Sequence, residues 1–180
     1  MEKTTIGSVT VECVQGDITS QPDMAAVVNA ANAQLRSGGG VAGAIHSTAG
    51  PGLSEECRPK APIEPGEAVI TGGHELPNAH VIHCLGPVYG RDKPEDELLA
   101  ACYRNALALA EENGLDSVAF PALSTGAFGY PLREAAEVAL RTVMDEAEDL
   151  ESVETIRFVL FGEEDCRVYQ EVLEELAGGT

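Results

Sequence analysis

Ala25-Ala26-Val27-Val28-Asn29-Ala30-Ala31-Asn32, followed after a short gap by Gly38-Gly39-Gly40-Val41-Ala42-Gly43-Ala44-Ile45-His46, is the stretch on which the reading of this 180-residue chain turns. Residues 25–28 are a short apolar run, the pattern of a strand covered on both faces. Residues 41–49 read as a helix stopped by Gly50-Pro51. Between them, three consecutive glycines leave the backbone bare just where a helix begins. Glycine reaches conformations closed to other residues, and a helix amino terminus carries partial positive charge. Such a turn can hold an anion without a lysine, although a lone triple glycine also serves as a plain turn or a close helix–strand contact.

Working outward, residues 8–14 alternate, with Val9, Val11 and Cys13 on one face, as a strand does. Residues 51–65 are proline-rich and read as irregular, with a short helix at 53–58. Residues 67–71 and 80–84 read as strands joined through Gly72-Gly73. Residues 95–112 carry Leu98, Leu99, Cys102, Tyr103, Ala106, Leu107 and Ala110 at helical spacing, closed by Asn113-Gly114. A buried strand follows at 117–120, a helix at 132–147, a strand at 155–161, and a last amphipathic helix marked by Val168, Tyr169, Val172, Leu173 and Leu176. Strands alternating with helices predict a single α/β domain over 1–180: a mainly parallel sheet with helices on both sides.

A second bare segment, Ser124-Thr125-Gly126-Ala127-Phe128-Gly129, also follows a buried strand and precedes a helix. Taken alone it reads equally as a strand-to-helix turn with a core phenylalanine. Two such loops at the carboxyl ends of strands carry more weight, because open α/β sheets bind ligands there. Neither has the GxxxxGK[ST] or GxGxxG spacing.

Composition narrows the function. There are 30 acidic against 11 basic residues, a formal net charge of −19, and the lysines are only Lys3, Lys60 and Lys93. Such a surface repels nucleic acid and anionic membranes. It also suits a high-salt cytoplasm, where screening relieves self-repulsion; equal stability at low and multi-molar salt would contradict that expectation. Five widely spaced cysteines form no CxxC pair and fit reduced thiols in a cytoplasm. Residues 1–7 are mostly polar and do not read as a signal peptide, and no apolar run reaches membrane length. No pair of histidines has convincing metal spacing, and His46 and His83 are expected to be structural. The acidic runs at 145–154 and 163–165 read as solvated faces.

Six ordered motifs carry a resemblance: Gly16-Asp17-Ile18-Thr19; Val28-Asn29-Ala30-Ala31-Asn32; Gly38 through His46; Gly66-Glu67-Ala68; Val81-Ile82-His83-Cys84-Leu85-Gly86-Pro87; and Phe120 through Pro131. In this order they resemble the macrodomains, nearest to the MacroD-type and viral-like subgroups, over almost the whole chain. The resemblance implies a three-layer α/β/α fold with a mixed, mainly parallel sheet, and binding of ADP-ribose or of ADP-ribosylated protein. It implies no cofactor and no metal. By resemblance, Asp17 accepts a hydrogen bond from the adenine amine, with Ile18 beside it. Asn32 holds the distal ribose. Gly38, Gly39, Gly40 and Val41 surround that ribose and the neighbouring phosphate. Ser124, Thr125, Gly126, Ala127 and Phe128 form the diphosphate loop, and Phe161 is placed like the ring that packs on adenine. The catalytic positions implied are Asn32, Gly40 and Phe128, around a water held near the ribose.

Other readings of these residues stay open at this level. Asp17 can cap a turn, Asn32 can form one, and Phe161 can be core. The family activity is hydrolysis of ADP-ribose esters on proteins, or deacetylation of O-acetyl-ADP-ribose. Many MacroD-type members carry an aspartate where this chain has Ala42, and viral-like members carry a histidine where it has Ser37. The first departure leaves a non-catalytic reader of ADP-ribose as the alternative.

Overall fold

The computed structural model describes residues 2–178. In chain order its elements are β1 Glu2–Ile6, β2 Val9–Gln15, β3 Ala26–Ala30, α1 Gly40–Ala49, α2 Pro51–Cys57, β4 Ala68–Gly72, β5 His80–Cys84, α3 Glu95–Glu112, β6 Ser117–Phe120, α4 Leu132–Ala147, β7 Thr155–Leu160 and α5 Glu163–Gly178. The strands form one sheet in the order β1-β2-β7-β6-β3-β5-β4. The inner pairs β2–β7, β7–β6, β6–β3 and β3–β5 are parallel. The edge pairs β1–β2 and β4–β5 are antiparallel. This is the mixed, mainly parallel sheet between two helical layers that the sequence predicts.

Strand periodicity divides the interior into two cores. In β3, Ala26 and Val28 join one cluster with residues of α3, α4 and α5, while Val27 joins a second with Ile45 of α1 and Leu53 and Cys57 of α2. The larger core is built on aromatics: Phe120 stacks on Phe158 at 5.6 Å, and Tyr103 lies 5.1 Å from Phe120. Removing either phenylalanine ring would cost about 3–5 kcal/mol, a large share of a domain's stability.

Three differences from the sequence reading have physical causes. β1 is a strand although its residues are mostly polar; it borrows the free edge of β2 through a hairpin in which Gly7, at φ +60°, stands between the paired Ile6 and Val9. β3 runs on to Ala30 because the fully buried Asn29 is paired with His83 rather than solvated. α5 begins at Glu163, so the acids Glu163, Glu164 and Asp165 form its first turn, where the helix dipole favours them.

The connections position the site. The chain leaving β3 enters α1 on one face of the sheet, whereas the chain leaving β6 enters α4 on the other. β2 and β7 diverge likewise: Ile18 packs with the α1 side, and α5 packs on the opposite face. Neighbouring strands that part in this way open a crevice at their carboxyl ends.

Candidate functional site: a cleft lined by backbone amides

The crevice is a cavity of about 740 Å³. Its lining follows the strand order: Gly16, Asp17 and Ile18 after β2; Phe161 after β7; residues 121–128 after β6; and Asn32, Gly38, Gly39, Gly40 and Val41 after β3. Every ligand-contacting residue expected from the sequence lies on this lining. β2 and β3 stand three strand spacings apart, roughly 14 Å, the scale of a diphosphate with a sugar on each side.

At the β3 end, α1 begins with Gly39 as its cap, without a side-chain capping bond and without an acid in the first turn. Its free N–H groups and positive dipole end therefore face the cleft uncompensated. Gly40 adopts φ +57°, a left-handed conformation that glycine tolerates best. The sequence-derived set omits Gly43, yet a Cβ there would stand 2.3 Å from the Gly38 carbonyl oxygen. That close approach holds the glycine turn against α1; a fourth glycine in the run is the sequence signal for it. Asn32 clamps the preceding turn: its Nδ2 donates to the Arg36 carbonyl at 2.7 Å and its Oδ1 accepts the Arg36 N–H at 3.0 Å. The turn-forming role of Asn32 and its place on the cleft thus coexist.

The β6 loop is held by its own backbone. Ser124, at φ +67°, accepts the Tyr130 N–H through its carbonyl at 2.9 Å, and the Phe128 carbonyl accepts the Tyr89 N–H at 2.9 Å. The buried Ser124 Oγ has no protein partner among the described residues. Gly86 abuts it so closely that a Cβ would come within 2.1 Å, so Gly86 is a second glycine missing from the sequence-derived set. Half-buried Phe128 packs against the α1-side core.

The β2–β7 end is built from side chains. Asp17 Oδ1 accepts the Thr19 N–H at 2.8 Å and the Thr19 hydroxyl at 2.7 Å. These bonds, the hydroxyl's first, hold the carboxyl below its ordinary range. Phe161 is 86% exposed, which removes the core reading and leaves an open aromatic face at the cleft.

Among the described residues no lysine or arginine lines the cleft, and its carboxylates, Asp17 and Asp165, stand at the β2–β7 end. An anion there would be held by amides and dipoles rather than by cationic side chains. The buried Ala42 contributes only a methyl group. His46 and His83 do not line the cleft. His46 Nδ1 lies 3.1 Å from Ser54 Oγ. Thr71 Oγ1 donates to the Gly72 carbonyl, so His83 Nε2 donates to Thr71 and its Nδ1 accepts from Asn29 at 3.1 Å. Burial, then the neighbouring His46, pushes His83 down to about 3, so it stays neutral. Among the described residues no cluster of His, Cys, Asp and Glu could hold a metal, the five cysteines are buried and none is joined in a disulfide, and no helix is long and apolar enough to cross a membrane.

Comparison with known proteins agrees with this geometry. The family model described as Macro domain matches residues 28–139. A Macro domain-containing protein of Chlorobaculum tepidum is 47% identical over 167 residues, covering 92% of this chain and 96% of that protein. A Salmonella typhimurium protein named O-acetyl-ADP-ribose deacetylase is 47% identical over 170 residues, covering 92% and 94%. The Oceanobacillus iheyensis macrodomain solved with ADP superposes with a TM-score of 0.94 at 41% identity, covering 99% of this chain and 97% of that one. The chain belongs to the Macro domain family.

Proposed function

We propose that the cleft binds ADP-ribose and that the protein hydrolyses ADP-ribose esters, deacetylating O-acetyl-ADP-ribose or freeing protein carboxylates from mono-ADP-ribose. One observation carries the reading: two turns rich in exposed backbone, at Gly38, Gly39 and Gly40 and at Ser124 through Phe128, face the same crevice, with no lysine or arginine among the described lining residues. A diphosphate there takes its hydrogen bonds from backbone amides and the α1 amino terminus. Adenine then lies at the β2–β7 end, its amine donating to Asp17 and its face against Phe161. The distal ribose falls beside Asn32, Gly40 and Phe128. The relatives named as deacetylases and the neighbours solved with ADP and ADP-ribose support ADP-ribose as the ligand and deacetylation as a reaction.

Hydrolysis adds water across the ester, returning a ribose hydroxyl and a free acid. With Ala42 in place of a carboxylate, no side-chain base stands at the amino terminus of α1. A phosphate oxygen of the bound ligand accepts the water's proton instead, and the protein's part is positioning. Asn32, pinned through Arg36, keeps the ribose and glycine turn in register.

Incubation with O-acetyl-ADP-ribose and with a mono-ADP-ribosylated glutamate protein tests the reading, and release above the buffer control is expected for at least one of them. Asn32→Ala should lower kcat by about a hundredfold through misplacement. Asp17→Ala should weaken ADP-ribose binding about tenfold to a hundredfold, as for a hydrogen bond to a charged acceptor, and change kcat far less. Ala42 favours a second reading, a non-catalytic reader of ADP-ribosylated proteins; tight binding with no release of either product selects it. The net charge of −19 argues against nucleic acid as the partner, and buried cysteines outside any disulfide suit a reducing cytoplasm.

A further inference from the structure

We infer that Arg157 is a positioning residue for base recognition, acting through Gln21 on the loop that carries Asp17. Arg157 lies in the middle of β7, and its side chain is only 15% exposed. It is one of the few basic residues of the chain and the only one in β7. Its Nε donates to Glu12 on the adjacent strand at 3.1 Å. Its Nη atoms donate to both oxygens of Asp23 at 2.9 and 2.8 Å, and Nη1 also donates to Gln21 Oε1 at 2.9 Å. Gln21 passes the constraint on, since its Nε2 donates to the Asp17 carbonyl at 3.0 Å. Asn78 closes the loop from the other side, donating to the carbonyls of Gln21 at 2.7 Å and Met24 at 2.8 Å.

The arrangement exceeds what charge neutralisation needs. Glu12 alone, paired with Arg157 across the sheet, would suffice for that. The planar guanidinium instead spans β2 and two positions of the 16–25 loop, a geometry that a lysine cannot reproduce. The chain of contacts ends on the residue whose carboxylate must meet an exocyclic amine within hydrogen-bond distance.

The inference rests on the adenine end of the proposed pose, and its test separates the two. Dissociation constants for ADP, for inosine diphosphate, whose base has a carbonyl in place of the amine, and for inorganic pyrophosphate would be measured by calorimetry. The wild type should prefer ADP over inosine diphosphate about tenfold, the worth of one hydrogen bond to a charged acceptor. Gln21→Glu still accepts from Arg157 but sets an oxygen against the Asp17 carbonyl, and should bring the preference close to unity. Arg157→Lys should lower it about threefold, roughly half the interaction on a logarithmic scale. Neither change should move pyrophosphate affinity. Gln21→Leu, which also breaks the link to Asp17, replaces either variant that fails to fold.

Wild-type preference in Gln21→Glu and Arg157→Lys, with Asp17→Ala abolishing it, overturns the inference and leaves the pose standing. A lowered melting temperature with the preference intact has the same meaning. Parallel loss of pyrophosphate affinity marks general loosening and also overturns it. An unchanged preference in Asp17→Ala sinks the pose and the inference together.

Discussion

The two ends of the cleft are built on opposite plans. At the β2–β7 end, Asp17 is fixed by side chains: Thr19 on its carboxylate, Gln21 on its carbonyl, and Arg157 and Asn78 behind them. At the β3–β6 end the glycine turn offers backbone instead: Gly38, Gly39 and Gly40 are exposed, and α1 has no side-chain cap. The difference follows from what each end must bind. A base offers one directional donor, which a placed carboxylate can read. A diphosphate offers many equivalent oxygens, which several converging amides hold at once, in a protein whose charge leaves few cations to spare.

Substitutions can break or sharpen this contrast. The largest effect is expected from Gly43→Ala. Its new Cβ meets the Gly38 carbonyl at 2.3 Å, so the turn must move. Stability should fall by about 1–3 kcal/mol, as in overpacking, and pyrophosphate affinity should fall with it. Denaturant unfolding and calorimetry read the two quantities, and a variant that keeps both would show that the glycine end does not depend on bareness.

A smaller effect is expected at the other end from Thr19→Val. The Thr19 hydroxyl is the foremost cause of Asp17's lowered pKa. A carboxyl depressed in the folded state stays ionised, and able to accept from adenine, until the pH falls through its folded value. Removing the hydroxyl raises that value, so ADP affinity should be lost at a higher pH than in the wild type. Titrations from about pH 7 to about pH 3.5, across the usual carboxylate range, would register the displacement. Superimposable acid limbs would mean that Asp17 does not meet the ligand.

The smallest effect on the fold is expected from Gly39→Ala. Nothing lies within 4 Å of a Cβ there, and φ is −85°, which any residue adopts. Stability should change by less than about 0.5 kcal/mol, while diphosphate affinity falls because a methyl group enters the cleft. Destabilisation matching that of Gly43→Ala would erase the distinction between glycines kept for the fold and glycines kept for the ligand.

Much of this molecule is legible in one dimension. Helical spacing places α3 at Glu95–Glu112 and α4 at Leu132–Ala147, because it reports directly on which face is buried, and a short apolar run places β6 at Ser117–Phe120. The motif order marks both bare loops, because glycines before a helix are a local signal. β1 escapes notice, since an edge strand takes its hydrogen bonds from a partner and needs no apolar pattern of its own. Arg157, Gln21 and Asn78 are also silent, lying 136 and 57 residues from one another along the links that join them.

The amino-acid order by itself determined most of the elements, the acidic surface and the residue types available for an anion. Only the tertiary structure decided that the loops after β3 and β6 share one crevice, that Phe161 opens onto it rather than into the core, and which glycines must be glycines. Local periodicity records burial, whereas convergence and close approach depend on strand order and on the faces to which successive helices depart. Those are set by distant parts of the chain packing together.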